Sequence, residues 1–219
     1  MKSLLYYNMK LLFSPLKWLC CLIFIIIIPI CMFVPTYYDF NNICEFYMPF
    51  IGITLITDIT LIDKNNGIEE ILYVSSNNLK KNFFIRYFIT VALIICFILL
   101  ANIIFFVQGH LQGKYYLNEQ ITTLQFLLIS VSSTLLLGTI SMTIGNFLSN
   151  QYIAYGISLV YWIYWNVNYE KQSIFNLFPF VSNPREYIFH ISMQFAFIIF
   201  LCILNGLSSQ KSRFYSLAN

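Results

Sequence analysis

Residues 83–107 read FFIRYFITVALIICFILLANIIFFV, and Arg86 is the only charged residue in this stretch. A helix needs about 20 apolar residues to cross a membrane, because each residue adds about 1.5 Å to a hydrocarbon path of about 30 Å. The stretch is therefore long enough and apolar enough to form one membrane-spanning helix.

The rest of the chain has the same character. Hydrophobic residues make up 59% of the 219 residues, and charged residues make up only 10%. A soluble domain carries about a quarter charged residues, so this chain has too few charges to cover a surface that faces water. The composition excludes a soluble enzyme, a nucleic-acid-binding protein and a disordered chain, and it favours a protein surrounded by a lipid bilayer.

Five further apolar windows extend this interpretation to residues 1–219 as a single transmembrane domain. Ser14 is expected to cap the first span, with Pro15 at its first helical position and Pro29 as a kink. Residues 1–13, with leucines on one face, are expected to form an interfacial helix. We therefore predict an all-α membrane protein with six spans, which are 15–34, 43–62, 83–107, 121–147, 151–167 and 187–205.

Orientation follows from the basic residues, which favour the cytoplasmic side of a membrane. With the N-terminus inside, the inner segments hold nine Lys or Arg residues and the outer loops hold three. The inner ones are Lys2, Lys10, Lys17, Lys64, Lys80, Lys81, Arg86, Lys211 and Arg213, and the outer ones are Lys114, Lys171 and Arg185. We predict a multi-pass protein with both termini in the cytoplasm.

Two acidic residues fall within the second predicted span. Glu45 is expected to lie at the outer interface. Asp58 is expected to be a solvated helix end, and this interpretation is preferred to a proton site because no second ionisable group accompanies it in sequence.

Aromatic residues cluster at the end of the fifth predicted span. Tyr161, Trp162, Tyr164 and Trp165 are interpreted as anchors at the membrane–water interface, where amphipathic rings are enriched. Neither a catalytic nor a substrate-binding role is assigned to them.

Small residues follow one face of the fourth predicted span. Their spacing of four, four, three and four residues places them in one line, and small side chains let helices approach closely. This predicts a packing face, either within the subunit or against a second subunit. The residues are Ser130, Thr134, Gly138, Ser141 and Gly145.

Motifs for chemistry are missing from the sequence. Gly113-Lys114 resembles a phosphate-binding loop, but Gly109 is one residue too close and Tyr115 stands where Ser or Thr must contact Mg²⁺. His110 and His190 have no metal-ligand neighbours at a suitable spacing. We therefore assign no catalytic, cofactor-binding or metal-binding residues, and we interpret the six cysteines as buried apolar groups.

The loop between the second and third spans reads DKNNGIEEILYVSSNNLKK over residues 63–81. Residues 68–74 can form a short amphipathic helix with Ile71 and Leu72 on its apolar side. Glu69 and Glu70 disfavour docking on the anionic inner leaflet. The helix is therefore expected to dock on a protein.

This loop resembles the corresponding segment of the type-2 ABC transporter permeases, the membrane subunits of many bacterial exporters. The predicted layout is also similar, with six spans, inner termini, an N-terminal interfacial helix and a hairpin before the last span. The sequence departs from the pattern at Ser75-Ser76, where a proline is usual. The matching residues are Asp63, Lys64, Gly67, Glu70, Ile71, Leu72 and Arg86.

The resemblance implies a permease of an ATP-driven exporter in a bacterial cytoplasmic membrane. A separate ATPase subunit would bind Mg-ATP and contact the coupling helix, and a second permease subunit, identical or related, would complete the path. The hairpin 166–186, whose apolar residues 174–181 are too few to span, would be re-entrant and close the exit. The expected coupling residues are Gly67, Glu69, Glu70, Ile71 and Leu72.

The abundance of Phe and Tyr suggests a hydrophobic or amphipathic substrate such as a peptide, toxin, bacteriocin or drug. The alternatives are an ion-coupled secondary transporter and a non-transporting membrane immunity protein. Neither alternative needs an ATPase partner, so copurification of an ATPase distinguishes them from an exporter.

Overall fold

The computed structural model describes residues 8–10, 12–31, 34, 36–62, 79–111, 121–173 and 175–215. These residues form helices and no β-strand, which confirms the all-α prediction for the described part of the chain. The helices are α1 (Pro15–Cys31), α2 (Tyr37–Tyr47), α3 (Pro49–Ile56), α4 (Leu79–Leu111), α5 (Thr123–Leu148), α6 (Gln151–Val167), α7 (Pro179–Ser182) and α8 (Tyr187–Tyr215).

Three helices are long and apolar enough to cross a membrane: Lys81–His110 within α4, Thr123–Leu148 and Tyr187–Ser208 within α8. The helix α1 is apolar but shorter. Large apolar side chains on the outside of the bundle are more than half exposed on four helices, for example Leu16, Ile103, Val160 and Phe200. Such a surface suits lipid rather than water, so the chain is a helical membrane protein.

Helix α5 lies at the centre of the bundle, in contact with α2, α3, α4, α6 and α8. In its most apolar window 67% of the residues are buried, against 33% in α4 and 28% in α8. Its many hydroxyl groups tolerate burial because they bond to the helix itself. Ser132 donates to the Ile129 carbonyl at 2.9 Å, and Thr134 donates to the Ser130 carbonyl at 2.6 Å.

The contacts fix the direction of the helices. At one end of the bundle, the Asp58 end, Asp58 follows α3 and meets Tyr155 near the start of α6. At the other end, the hairpin end, the ring of Phe40 early in α2 stacks on Phe105 late in α4 and on Phe126 early in α5. The pair α2–α3 therefore runs parallel to α5 and antiparallel to α4 and α6.

The helices α1 and α8 complete this alternation. Lys17 near the start of α1 lies at the Asp58 end. Asn205 late in α8 accepts a hydrogen bond from Asn146 late in α5, at 3.1 Å, so these two helices are parallel. Within the described residues, six successive helical segments thus alternate in direction.

The second segment differs from the predicted window 43–62. Its helix begins at Tyr37 because Thr36 caps it, accepting a hydrogen bond from the Asp39 backbone N–H at 3.1 Å. It is interrupted at Met48 before Pro49, which opens α3. Proline has no N–H, so the carbonyl of Glu45 loses its helical partner. A 3-10 turn, Thr57–Ile59, follows α3.

The other boundaries vary in how well they agree with the sequence. The fifth window coincides with α6, whereas α4 and α8 extend beyond their windows and α1 ends at Cys31. Ser14 caps α1 as predicted, since its hydroxyl accepts the Lys17 N–H at 3.4 Å. The predicted coupling helix, residues 68–74, lies outside the described residues.

The N-terminal segment is attached to the bundle where it is described. Asn8 and Leu12 are buried, and the Asn8 side-chain oxygen accepts a hydrogen bond from Arg86 Nε at 2.9 Å. Arg86 is itself buried in α4. This end of the predicted interfacial helix therefore packs against protein at the Asp58 end.

Candidate functional site in the bundle interior

Ionisable groups inside a membrane protein are costly and are therefore functional candidates. Two carboxylates within the bundle meet this description, one near each end. Glu45 lies at the hairpin end, on α2, and Asp58 lies at the opposite end, in the 3-10 turn.

Glu45 is fully buried, at 0% exposure. Its Oε1 accepts the backbone N–H of Phe180 and its Oε2 accepts that of Val181, both at 3.0 Å. These N–H groups belong to the first turn of α7, where a helix leaves its donors unpaired. The prediction that Glu45 lies at the outer interface is wrong, because its carboxylate holds the hairpin from inside the bundle.

The hairpin is organised around Asn176. The side-chain amide of Asn176 donates to the carbonyls of Tyr169 and Lys171, each at 2.9 Å, and its oxygen accepts the Phe178 N–H at 2.9 Å. Its backbone carbonyl accepts a hydrogen bond from Gln194 of α8 at 2.8 Å. The hairpin residues Leu177, Phe178, Pro179 and Phe180 are consequently buried between α2 and α8.

Two side chains of the aromatic cluster of α6 form hydrogen bonds to neighbouring parts of the protein, one to α2 and one to the hairpin. Trp162 Nε1 donates to the Phe46 carbonyl at 2.7 Å, and the Tyr161 hydroxyl donates to the Phe175 carbonyl at 2.6 Å. Trp165 is buried, and Tyr164 is half exposed. The interpretation as an interfacial anchor is therefore wrong for the buried Trp165. It fits the exposed Tyr164 and stays a prediction for Tyr161 and Trp162, which are partly exposed.

Asp58 is held in an ion pair. Its Oδ2 lies 2.7 Å from Lys17 Nζ, and its Oδ1 accepts the Tyr155 hydroxyl at 2.8 Å. The Lys17 ammonium also donates to the Leu12 carbonyl at 3.1 Å. The prediction of a solvated helix end without an ionisable partner is wrong, because the first and second segments are antiparallel and bring Lys17 and Asp58 to the same depth.

The small-residue face of α5 packs within the subunit. All five residues predicted for it are buried, and Gly138 lies against Gly52 of α3. A Cβ atom at Gly52 would lie 2.1 Å from the Thr134 carbonyl oxygen, and one at Gly138 would lie 2.7 Å from the Gly52 carbonyl oxygen. The backbones of α3 and α5 therefore touch at this crossing.

The remaining members of the face line the same contact. The Ser141 hydroxyl is 2.7 Å from that of Thr57, and Gly145 faces Leu61 and Ala154. Ser130 is buried and its hydroxyl has no hydrogen-bond partner. Sequence reasoning missed Gly52, although it is the only glycine in the second predicted span.

The coupling residues predicted from the loop, Gly67 and the segment 69–72, lie outside the described residues. Comparison of the chain with protein-family models, with curated proteins and with solved structures gives no match. The functional argument therefore depends on the residues of this chain.

Proposed function

We propose that the chain is the permease subunit of an ATP-driven ABC exporter, which carries a hydrophobic or amphipathic molecule out of a bacterial cell. The observation that carries this proposal is the hairpin before α8. It folds back into one end of the bundle and is held there by the buried Glu45. A hairpin of this kind at the exit side is what the resemblance to type-2 permeases leads us to expect.

The alternating helices support a six-span topology for this subunit. We assign the hairpin end to the outside and the Asp58 end to the cytoplasm, because α4 begins among Lys80, Lys81 and Arg86. With 33 residues, α4 has a length of about 50 Å, which exceeds a hydrocarbon core of about 30 Å. In this orientation both termini are cytoplasmic.

The packing of α5 indicates where the translocation path of the substrate would lie. Its small residues are used in contacts with α3, the 3-10 turn and α6, and this close packing favours a path outside the subunit's own core. A path between two permease subunits fits this arrangement. A partner ATPase would bind Mg-ATP and act on the loop 63–81, and the permease would supply the walls of the path.

The coupling loop offers the direct test of the ATPase partner. Leu72→Asp is expected to detach the ATPase or uncouple it, because burial of a leucine-sized side chain stabilises a contact by roughly 1.5–3 kcal/mol. Glu70→Ala is expected to retain assembly better but to lower transport, since one polar contact contributes about 0.5–3 kcal/mol. The measurements are ATPase copurified in mild detergent and substrate efflux.

Lys2→Ala is the matched control for these two variants, because it lies far from the loop in sequence. It should leave copurification and efflux unchanged. Normal copurification and efflux in Leu72→Asp would show that this loop is not the coupling element. Absence of any copurified ATPase from the native chain would contradict the exporter proposal itself.

The topology predicts a pattern of chemical labelling in intact cells. In a background with all six cysteines replaced by alanine, single cysteines at Lys64 and Lys211 should resist an impermeant thiol reagent, whereas one at Lys171 should react. Lys171 is exposed in the hairpin, so reagent access does not depend on hairpin movement. Labelling of the position 211 cysteine from outside would contradict the six-span topology.

One observation favours a second candidate, an ion-coupled secondary transporter. Asp58 has an ionisable partner in Lys17 and a hydroxyl donor in Tyr155, and such groups can exchange protons during transport. In that case Asp58→Asn should abolish proton-dependent transport. The exporter proposal instead expects transport to depend on ATP and on the partner ATPase.

A further inference from the structure

We infer that Glu45, Asn41 and Gln194 form a binding site for a cationic amine or guanidinium group, covered in this structure by the hairpin. This inference rests on the proposed export function and narrows the substrate to cationic amphipathic molecules. It starts from a buried carboxyl group without a cationic partner and from buried polar atoms without hydrogen-bond partners.

The buried carboxyl group of Glu45 has no cationic partner among the described residues. Within the described residues, Lys17 and Asp58 form the only ion pair, and the Glu45 carboxylate receives only the two backbone N–H groups of the hairpin. Neutral donors compensate a buried carboxylate less well than a cation that is also a hydrogen-bond donor. The surroundings of Glu45 therefore favour a positively charged group.

Unpartnered polar atoms lie on the two helices that enclose the hairpin, α2 and α8. Asn41 is one helical turn before Glu45 on the same side of α2, is fully buried, and has no hydrogen-bond partner for either side-chain polar atom. Gln194 is 1% exposed; its amide nitrogen binds the hairpin at Asn176, and its side-chain oxygen has no partner. Buried polar atoms normally have partners, so the two unpartnered oxygens, on Asn41 and Gln194, point to a ligand with several N–H donors.

The hairpin and such a ligand would compete for the same oxygens. The N–H groups of Phe180 and Val181 occupy Oε1 and Oε2 of Glu45, which is also how a bidentate guanidinium binds a carboxylate. An incoming guanidinium would replace the two hydrogen bonds from backbone N–H groups with two hydrogen bonds from a charged donor. The first turn of α7 would then be released from Glu45. Binding and lifting of the hairpin are thereby linked.

The surrounding rings suit the apolar part of an amphipathic ligand. The ring of Phe180 lies 5.3 Å from that of Tyr38 and 5.2 Å from that of Tyr187, and Phe46 lies 4.4 Å from Phe178, all as centroid distances. When the hairpin lifts, Tyr38 and Tyr187 lose their contact with Phe180. They then offer apolar faces next to the charged group.

The test compares three probes on the full-length chain in lipid nanodiscs, without an ATPase. Octylguanidinium carries charge and N–H donors, octyltrimethylammonium carries charge alone, and octanol carries neither. Binding is followed by tryptophan fluorescence, because the Trp162 indole donates a hydrogen bond to the carbonyl of Phe46, the residue after Glu45. We expect octylguanidinium to bind at least tenfold more tightly than octyltrimethylammonium, with octanol weakest.

Two substitutions make the result specific to this site. Glu45→Gln should remove the preference for octylguanidinium, whereas Glu186→Gln, which changes an exposed carboxylate at the end of the hairpin, should keep it. Asn41→Leu should weaken octylguanidinium binding several-fold without lowering the melting temperature, because it replaces an unpaired polar group with an apolar one of similar size. This variant separates ligand binding from folding.

Equal affinity for the two cations, or an octylguanidinium affinity unchanged by both Glu45→Gln and Asn41→Leu, would show that Glu45 is only a clamp for the hairpin. Because the assay omits the ATPase, its failure leaves the exporter proposal intact. Conversely, cation binding by a chain that copurifies no ATPase would retain the site and contradict the exporter.

Discussion

Gly52→Ala is expected to destabilise the fold strongly, although it adds a single methyl group. The new Cβ would lie 2.1 Å from the Thr134 carbonyl oxygen and 3.0 Å from the carbonyl carbon, and a backbone cannot rotate away as a side chain can. Overpacking a core costs about 1–3 kcal/mol and occasionally more, and a contact with backbone belongs at or above the upper end. We expect a large loss of monodisperse protein and a lower melting temperature in mild detergent.

Gly156→Ala on α6 is the matched control, because a Cβ atom there meets nothing within 4 Å. Replacing a glycine in a helix interior by alanine contributes about 0.5–1 kcal/mol of stability, so this variant should melt at the same temperature or higher. Equal melting temperatures for Gly52→Ala and Gly156→Ala would contradict the close crossing of α3 and α5.

The same crossing determines which substitutions on α5 are informative. Gly138→Leu should also weaken folding, since its Cβ would lie 2.6 Å from Ile56 and 2.7 Å from Gly52. Thr139 has the right angular offset for a lipid-facing control but is fully buried, 3.2 Å from the Tyr87 hydroxyl. Leu128, which is exposed on the same helix, is the suitable control position.

A double-mutant cycle on Lys17 and Asp58 is expected to show strong coupling. Removing one partner of a buried ion pair costs about 3–5 kcal/mol because the other charge stays buried and unpaired. The side chains of Lys17 and Asp58 are 16% and 13% exposed. Because they are partly solvated, we expect a cost of about 3 kcal/mol, the lower end of this range. Lys17→Met and Asp58→Leu should each lower the melting temperature clearly, and the double variant should recover most of the loss.

Tyr155→Phe serves as the reference for the cycle, since it removes only the hydrogen bond to Asp58. It should cost about 1.5–3 kcal/mol at most, the range for a hydrogen bond to a charged group. If the losses in Lys17→Met and Asp58→Leu simply add in the double variant, the two residues do not stabilise each other. That result would also weaken the case for an ion-coupled site.

The features that could be predicted from the sequence are those that depend on a single helix. Apolar length located the helices, and the spacing of small residues located the face of α5 that makes the closest contact. The start of the second helix was missed because residues 37–42 look polar, although Thr36 and Asp39 have the spacing of a helix cap. That signal was available in the sequence.

Relations between helices could not be predicted in the same way. Each helix is apolar on nearly all sides, so hydropathy does not indicate which neighbour Gly138 or Trp162 will contact. Glu45 was assigned to an interface because its partners are backbone N–H groups more than 130 residues later, and backbone donors leave no trace in a sequence. The Lys17–Asp58 pair was easier to predict, because two successive antiparallel spans place the start of the first and the end of the second at the same end of the bundle.

The break at Met48–Pro49 divides the second segment into two halves that pack against different parts of the protein. Proline leaves one backbone hydrogen bond unmade, so bending is easier here than in an unbroken helix. On one side of this break, α3 packs closely against α5 at Gly52. On the other side, α2 carries Glu45, which accepts hydrogen bonds from the hairpin. The break is therefore the position where α2 would bend relative to α3. If a partner acts on the Asp58 end, as the proposed function requires, the unbroken helices α5 and α6 connect that end with the hairpin end.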